Sequence, residues 1–182
     1  KLGADDYLSK PFSMEELHIL IDNLVDNVRR LKGKFSGALV QEDKMAKIEL
    51  TDEEIKQKID EAIEIMEKAY VPYSKFPVAA ILIDENGKTY KGVNVENASY
   101  GLGLCAERNA ITSAVTDGMK KIHYIVVVAD TKGPVSPCGA CRQVISEFSN
   151  KDTRIIMSNK NYDYKVWDVE EMIPGAFGPE DL

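Results

Sequence analysis

Three cysteines are the whole thiol complement of this 182-residue chain: Cys105 in LCAERNAI, and Cys138 and Cys141 in SPCGACRQ. Cys138 and Cys141 stand three apart, so on a helix they share a face and can grip one ion. Three thiolates leave one position of a tetrahedral zinc site open. A structural zinc uses four protein ligands, whereas a catalytic zinc keeps a place for water. Of the two histidines, His18 lies in an unrelated N-terminal stretch and His123 opens the apolar run HYIVVVAD, where it reads as the cap or flank of a strand. Glu107, two residues after Cys105, is either a fourth ligand or a proton carrier beside a zinc-activated water. The bland reading of the cysteines is small buried hydrophobes, but Pro137 and Gly139 around the C-x-x-C make poor core material.

The spacing also says something about reactivity. Cys105 falls at the start of one predicted helix, and Cys138 and Cys141 fall in the first turn of another. Helix N-termini carry partial positive charge and free N–H donors, which lowers thiol pKa values. Zinc on three thiolates is a weakened Lewis acid, and two helix ends together with Arg108 would draw density off the sulfurs. A cation in a first helical turn opposes the macrodipole, which favours Arg108 as a thiolate partner over a surface residue. Water in the open position then becomes acidic near neutral pH, and Glu107 takes its proton and returns it to the substrate.

Those side chains need elements to hold them. Ser13 and Glu16 form a capping box, and Leu17, Leu20, Leu24, Val28 and Leu31 recur at helical spacing. KGKFSGALVQEDKMAKIEL has no clean period and reads as a linker. TDEE at Thr51 is a second capping box; Ile55, Ile59, Ala62, Ile63, Met66 and Tyr70 line one helical face, and Pro72 stops that helix. FPVAAILID and KTYKGVNV read as strands around ENGK, where Asn86-Gly87 signals a hairpin turn. After the loop ENASYGLGL, a helix runs from Cys105 to near Gly118. HYIVVVAD reads as a buried strand, and TKGPVSP as a loop. Cys138 opens a helix reaching about Phe148. TRIIMS and YDYKVW are two more strands, and DVEEMI is a short helix ended by Pro174. The sum is a mixed α/β domain of about five strands, three substantial helices and a short terminal one.

Composition narrows the partners. A net charge of −7 argues against nucleic acid, because a phosphate backbone wants a basic footprint. No apolar run approaches the ~20 residues that span a bilayer. An odd number of cysteines in a metal-like spacing points to a reducing cytosol, and so to a cytoplasmic protein, rather than to disulfides. A hydrophobic fraction of 44% supports an ordinary core.

CAE followed by PCGAC resembles the zinc-dependent cytidine deaminases, whose signature allows three cysteines and a glutamate that acts as acid and base without ligating the metal. The likeness runs through YVPYSKFPVAA, NVENASYG, CAERNAI, SPCGACRQVI and IPGAF, and covers nearly all of 51–182. It implies a three-layer fold with a mixed five-stranded sheet between helices, and zinc on Cys105, Cys138 and Cys141. It implies hydrolytic deamination of cytidine and deoxycytidine to uridine and deoxyuridine with release of ammonia, as in pyrimidine salvage, with Glu107 shuttling protons. By the same resemblance Asn94 and Glu96 hold the ribose hydroxyls and Phe76 packs on the pyrimidine. The backbone of Ala106 and Ser136 of the SPC loop lie near base and metal, and Gln143 serves the zinc loop through hydrogen bonds. Phe177 resembles an aromatic that reaches into a neighbouring subunit's site, in a homotetramer with shared sites. Ala79 stands where the family usually has glycine, adding a methyl where the backbone is tight. Another small zinc deaminase, such as a blasticidin-S deaminase, is the nearest alternative; Asn94 and Glu96 favour simple nucleosides. A signalling adaptor with a structural zinc is the alternative of another class, and the lack of a closing ligand argues against it.

The adaptor reading arises from the first segment. GADDYLSKPFSMEEL resembles the C-terminal end of a response-regulator receiver domain, with Lys10 matching the phosphate-contacting lysine and Pro11 the cis-proline after it. The acceptor aspartate and the rest of that sheet would lie upstream of Lys1. The expected organisation is therefore a receiver-like remnant over 1–32, a linker over 33–50 and a deaminase domain over 51–182.

Overall fold

A computed structural model describes residues 50–178 and 181–182. The receiver-like segment and most of the linker expected from the sequence lie outside these residues. The first element, α1 (Asp52–Met66), starts at the capping box foreseen at Thr51: the Thr51 hydroxyl accepts from the Glu54 N–H, and the Glu54 carboxylate accepts from the Thr51 N–H at 2.8 Å. Asp52, Glu53 and Glu54 add negative charge where the helix end is positive. The helix buries Ile55, Ile59, Ala62, Ile65 and Met66. Each of its large side chains contributes about 1.5–3 kcal/mol by leaving water, far more than helix propensity can.

The helix ends at Met66, well before Pro72, and Tyr70 is 56% exposed rather than part of the buried face. The reason is non-local. The Tyr70 N–H donates to the Asn94 carbonyl and the Tyr70 carbonyl accepts from the Glu96 N–H, so the chain has already turned to pair with a distant strand end.

Five strands follow: β1 (Val78–Asp84), β2 (Thr89–Val93), β3 (Ile122–Ala129), β4 (Arg154–Asn159) and β5 (Tyr164–Trp167). They form one sheet in the order β2-β1-β3-β4-β5, antiparallel except for the parallel β3–β4 pair. Between the strands lie α2 (Ala106–Thr116) and α3 (Gly139–Glu147), with a last short helix α4 (Val169–Met172). The Asn86-Gly87 turn joins β1 to β2, with Gly87 at φ 80°, where a side chain would be strained. All eight residues of β3 are buried, as expected of a central strand covered on both faces. His123 is among them at 5% exposure; it lies within the strand rather than flanking it, with its ring edge-on to Tyr124.

Alternate residues of the central strands feed two cores. Ala79, Ile81, Ile83, Tyr124, Val126, Val128 and Ile156 pack under α1. Ala80, Leu82, Ile125, Val127, Ile155 and Met157 face the other way, with Ala106, Ala110, Ile111 and Ala114 of α2 and Ile145 of α3. This is the three-layer α/β arrangement that the resemblance implied. The Ala79 methyl belongs to the core beneath α1, on the face away from α2.

The tight spot is Gly92 in β2. A Cβ there would lie 2.3 Å from the Ala106 carbonyl oxygen and 2.6 Å from the Ala110 nitrogen, both backbone atoms of α2. The absent side chain lets α2 press against the sheet. Gly92→Ala should lower stability by about 1–3 kcal/mol through overpacking and reduce turnover by shifting α2. Thermal unfolding and steady-state kinetics check this, and wild-type values for both would show that the close approach does not set the helix position.

Candidate active site and metal centre

Two helix starts converge on one point. Cys105 is the N-cap of α2 (φ −73°, ψ 155°), at the helix start as expected, and Cys138 is the N-cap of α3 (φ −67°, ψ 163°), one step before the first turn in which it was expected. Neither cap makes the side-chain hydrogen bond that serine or aspartate would supply. Cysteine at such a position sets its sulfur beside first-turn N–H groups that lack helical partners. Cys141, within α3, is fully buried.

The three sulfurs lie within 4.8 Å of one another, and those of Cys105 and Cys138 are 3.9 Å apart. Tetrahedral zinc with Zn–S bonds of about 2.3 Å wants sulfurs about 3.8 Å apart. Three soft thiolates at that spacing fit zinc and leave one position for a non-protein ligand. Among the described residues, no other group of three histidine, cysteine or acidic side chains clusters this way.

The surroundings bias the thiols and the carboxylate. Hydrogen bonding from Cys141, and then from Arg108, pushes the Cys105 thiol down to about 5. Cys141 moves the opposite way: the proton it shares with Cys105, its burial and the nearby charge of Glu107 all raise it. Arg108 Nη2 reaches the Cys105 sulfur at 3.5 Å and the Gly103 carbonyl at 3.2 Å, as its place in the first turn suggested. Its Nε is buried without an acceptor among the described residues, while the guanidinium as a whole is half-buried with its charge close to the Cys105 sulfur. Glu107 is only 4% exposed, and burial raises its pKa above the ordinary glutamate value. A buried carboxyl with a raised pKa beside a cluster of thiols is suited to proton transfer.

A cavity of about 410 Å³ is lined by Tyr73, Ser74, Glu96, Asn97, Tyr100 and Gly103, the last of which accepts from Arg108 through its carbonyl. Glu96 accepts from the Tyr73 N–H at 2.9 Å and the Ser74 N–H at 3.2 Å. Hydrogen bonds from Ser74, and then from Tyr73, hold its carboxyl below the ordinary glutamate range. Lys75, the next residue, has a φ of 56°, which costs a non-glycine residue about 1–3 kcal/mol. Asn94 does similar work one strand over: Oδ1 accepts from the Val78 N–H at 2.8 Å and Nδ2 donates to the Phe76 carbonyl at 2.9 Å. Phe76 is 40% exposed at the mouth of β1, and Ala106 is fully buried at the start of α2.

Ser136 is exposed, and its hydroxyl accepts from Arg142 at 2.6 Å. The resemblance has Gln143 serving the zinc loop through hydrogen bonds; the bond its Nε2 makes is instead to the Phe177 carbonyl, at 2.9 Å. That loop is held instead by Arg142, which the sequence reading passed over. Phe177 itself is 61% exposed.

The comparisons with known proteins bear on the same residues. The model of the cytidine and deoxycytidylate deaminase zinc-binding region matches residues 52–157, more than half of the chain. The chain belongs to the cytidine and deoxycytidylate deaminase family. A cytidine deaminase of Sporosarcina psychrophila is 49% identical over 129 residues, 71% of this chain and 95% of that protein. One of Halalkalibacterium halodurans is 50% identical over 124 residues, 68% of this chain and 94% of that protein. Among solved structures, the cytidine deaminase of Burkholderia pseudomallei superposes with a TM-score of 0.64 at 44% identity, covering 67% of this chain and 98% of that one. As in other members of this zinc-binding deaminase family, the metal centre belongs to the fold, and Cys105, Cys138 and Cys141 are the cluster that suits it. No helix among the described residues is long and apolar enough to cross a membrane.

Proposed function

We propose that the chain hydrolyses the 4-amino group of cytidine and deoxycytidine, yielding uridine or deoxyuridine and ammonia. The observation that carries this reading is the buried Glu107, two residues from Cys105 and near enough to the Cys105 and Cys141 sulfurs of the three-sulfur cluster for them to act on its carboxyl. Bound zinc supplies the Lewis acidity that makes water a nucleophile near neutral pH. Glu107 takes one proton from the water that adds to C4 and delivers it to ring N3. It then passes the second proton to the leaving amine as the C4–N bond breaks, so water is consumed and ammonia released. The raised pKa of Glu107 suits a group that must both accept and donate. Arg108 steadies the charge on Cys105.

Glu96 keeps lone pairs beyond those used by Tyr73 and Ser74, and ribose hydroxyls are suitable donors. Asn94 keeps one N–H and one lone pair for the same sugar. Phe76 offers its ring to the pyrimidine, with the backbone of Ala106 and the Ser136 loop near base and metal. The exposed ring of Phe177 supports a homotetramer in which it completes a neighbouring site. Thiols that must stay reduced suit the cytosol. Deamination rests with 51–182, and the receiver-like 1–32 and linker 33–50 take no part in it.

One experiment tests the reading: uridine formation from cytidine by the zinc-loaded protein, with blasticidin S and free cytosine as competing substrates. Cytidine should be preferred. Glu96→Ala should lower kcat/KM by about 10–100-fold, the worth of a hydrogen bond to a charged group, without loss of zinc. No turnover of cytidine, or equal use of cytosine, would overturn it.

A further inference from the structure

We propose that Arg142 is a positioning residue that fixes the loop before Cys138 and the C-terminal tail carrying Phe177 in a single geometry. The inference rests on the deaminase reading above, because it concerns how the metal loop and the substrate-side tail are held together.

Arg142 follows Cys141 in the first turn of α3, where the helix macrodipole disfavours a cation. Tertiary partners hold it there. Nε donates to the Pro137 carbonyl at 2.9 Å and Nη2 to the Ser136 hydroxyl at 2.6 Å. One edge of the guanidinium thus grips two consecutive residues of the loop that leads into Cys138. The other arm, Nη1, donates to the Met172 carbonyl at 3.0 Å. Met172 ends α4, so this carbonyl lies at the negative end of a helix and welcomes a cation. The guanidinium also lies over the Trp167 ring at 5.5 Å, which fixes its plane.

The next residue extends the same tie. Gln143 donates to the Phe177 carbonyl, so residues 142 and 143 anchor the tail at Met172 and again at Phe177. Between the two anchors runs Ile173-Pro174-Gly175-Ala176, with Gly175 at φ 64°. One helical turn therefore carries a metal ligand, holds the loop that brings in a second, and pins the tail. A planar fork with donors in fixed directions can serve three acceptors on two segments; a lysine ammonium is a point charge and cannot keep that geometry.

The test compares Arg142→Lys and Arg142→Gln with wild type in the full chain. Arg154→Gln serves as comparator, because Arg154 donates only to the Lys151 and Thr153 carbonyls. Four quantities are read: the rate of zinc release to a chromophoric chelator, kcat and KM for cytidine, and Tm. Partners that orient metal ligands are typically worth 10–100-fold. Both Arg142 variants should release zinc about 10-fold faster or more and show a raised KM, with lysine giving no rescue. Arg154→Gln should match wild type in both.

Wild-type zinc release and KM with only a lowered Tm would make Arg142 a stabilising residue and overturn the proposal. So would full restoration by lysine. If neither Arg142 variant folds, Ser136→Ala decides: faster zinc release supports the coupling, and the wild-type rate overturns it. Failure of the wild-type protein itself to hold zinc or deaminate cytidine would overturn the functional reading instead, and is told apart by that control.

Discussion

Replacing Glu107 by glutamine leaves a folded, zinc-containing protein that turns cytidine over about 10²–10⁴-fold more slowly. The amide matches the carboxylate in size and fills the same buried space, so packing around Ala106 and Ala110 is undisturbed. What it cannot do is accept and release a proton. Both transfers in the reaction pass through this one side chain, since no other acid lines the cluster among the residues placed there. Stability should hold or rise, because a carboxylate at 4% exposure carries a desolvation cost that the amide does not. Steady-state kinetics, metal analysis and a melting curve on one sample check all three expectations. Near-normal turnover would remove Glu107 from the mechanism, and loss of zinc would make it a ligand.

The second large effect follows from taking away a sulfur. Cys138→Ala should reduce zinc from about one per chain to far less and abolish measurable turnover, because two thiolates cannot hold the ion as three do. Cys138 is the informative choice. Its side chain is exposed, whereas Cys141 is buried in the core and its loss would mix metal and packing effects. The alanine variant should also melt at a lower temperature, since the metal's binding energy adds to the stability of the folded state alone. Chelation of the wild-type protein should reproduce both losses, and added zinc should restore the wild type but not the variant. Full zinc content and turnover in Cys138→Ala would mean that the three-sulfur cluster does not make the site.

Much of this was legible in the sequence because it depends on local chemistry. The Thr51 box needs only residues three apart, and it forms as expected. The run HYIVVVAD has, after its histidine, the continuous apolar character of a strand covered on both faces, and β3 is that strand. The cysteine spacing pointed to a shared ion, and the sulfurs gather within bonding range of one. The misreadings share a different cause. His123 looked like a boundary because a polar residue precedes an apolar run, but β3 pairs with β1 on both sides of it, Ile122 with Asp84 and Tyr124 with Ile83 across a register shift, and register is a property of two strands. Tyr70 continued a helical stripe on paper, yet its backbone bonds to Asn94 and Glu96, more than twenty residues away in sequence. Arg142 showed only as a cation beside a cysteine; its acceptors at Met172, Ser136 and Pro137 exist only once the chain has folded.

Gly92 has a consequence for how this chain can vary over generations. Every replacement for glycine brings at least a Cβ, and the first atom added meets α2 backbone on two sides. The position therefore has no conservative neighbour in the genetic code: no small step leads away from it that does not also move the helix bearing Glu107. In a saturation scan selected for nucleoside deamination, position 92 should sort with Glu107 and the three cysteines, although it offers no proton, no ligand and no surface to a substrate. Sterile positions of this kind would be mistaken for reactive ones by any survey that records only which residues refuse to change.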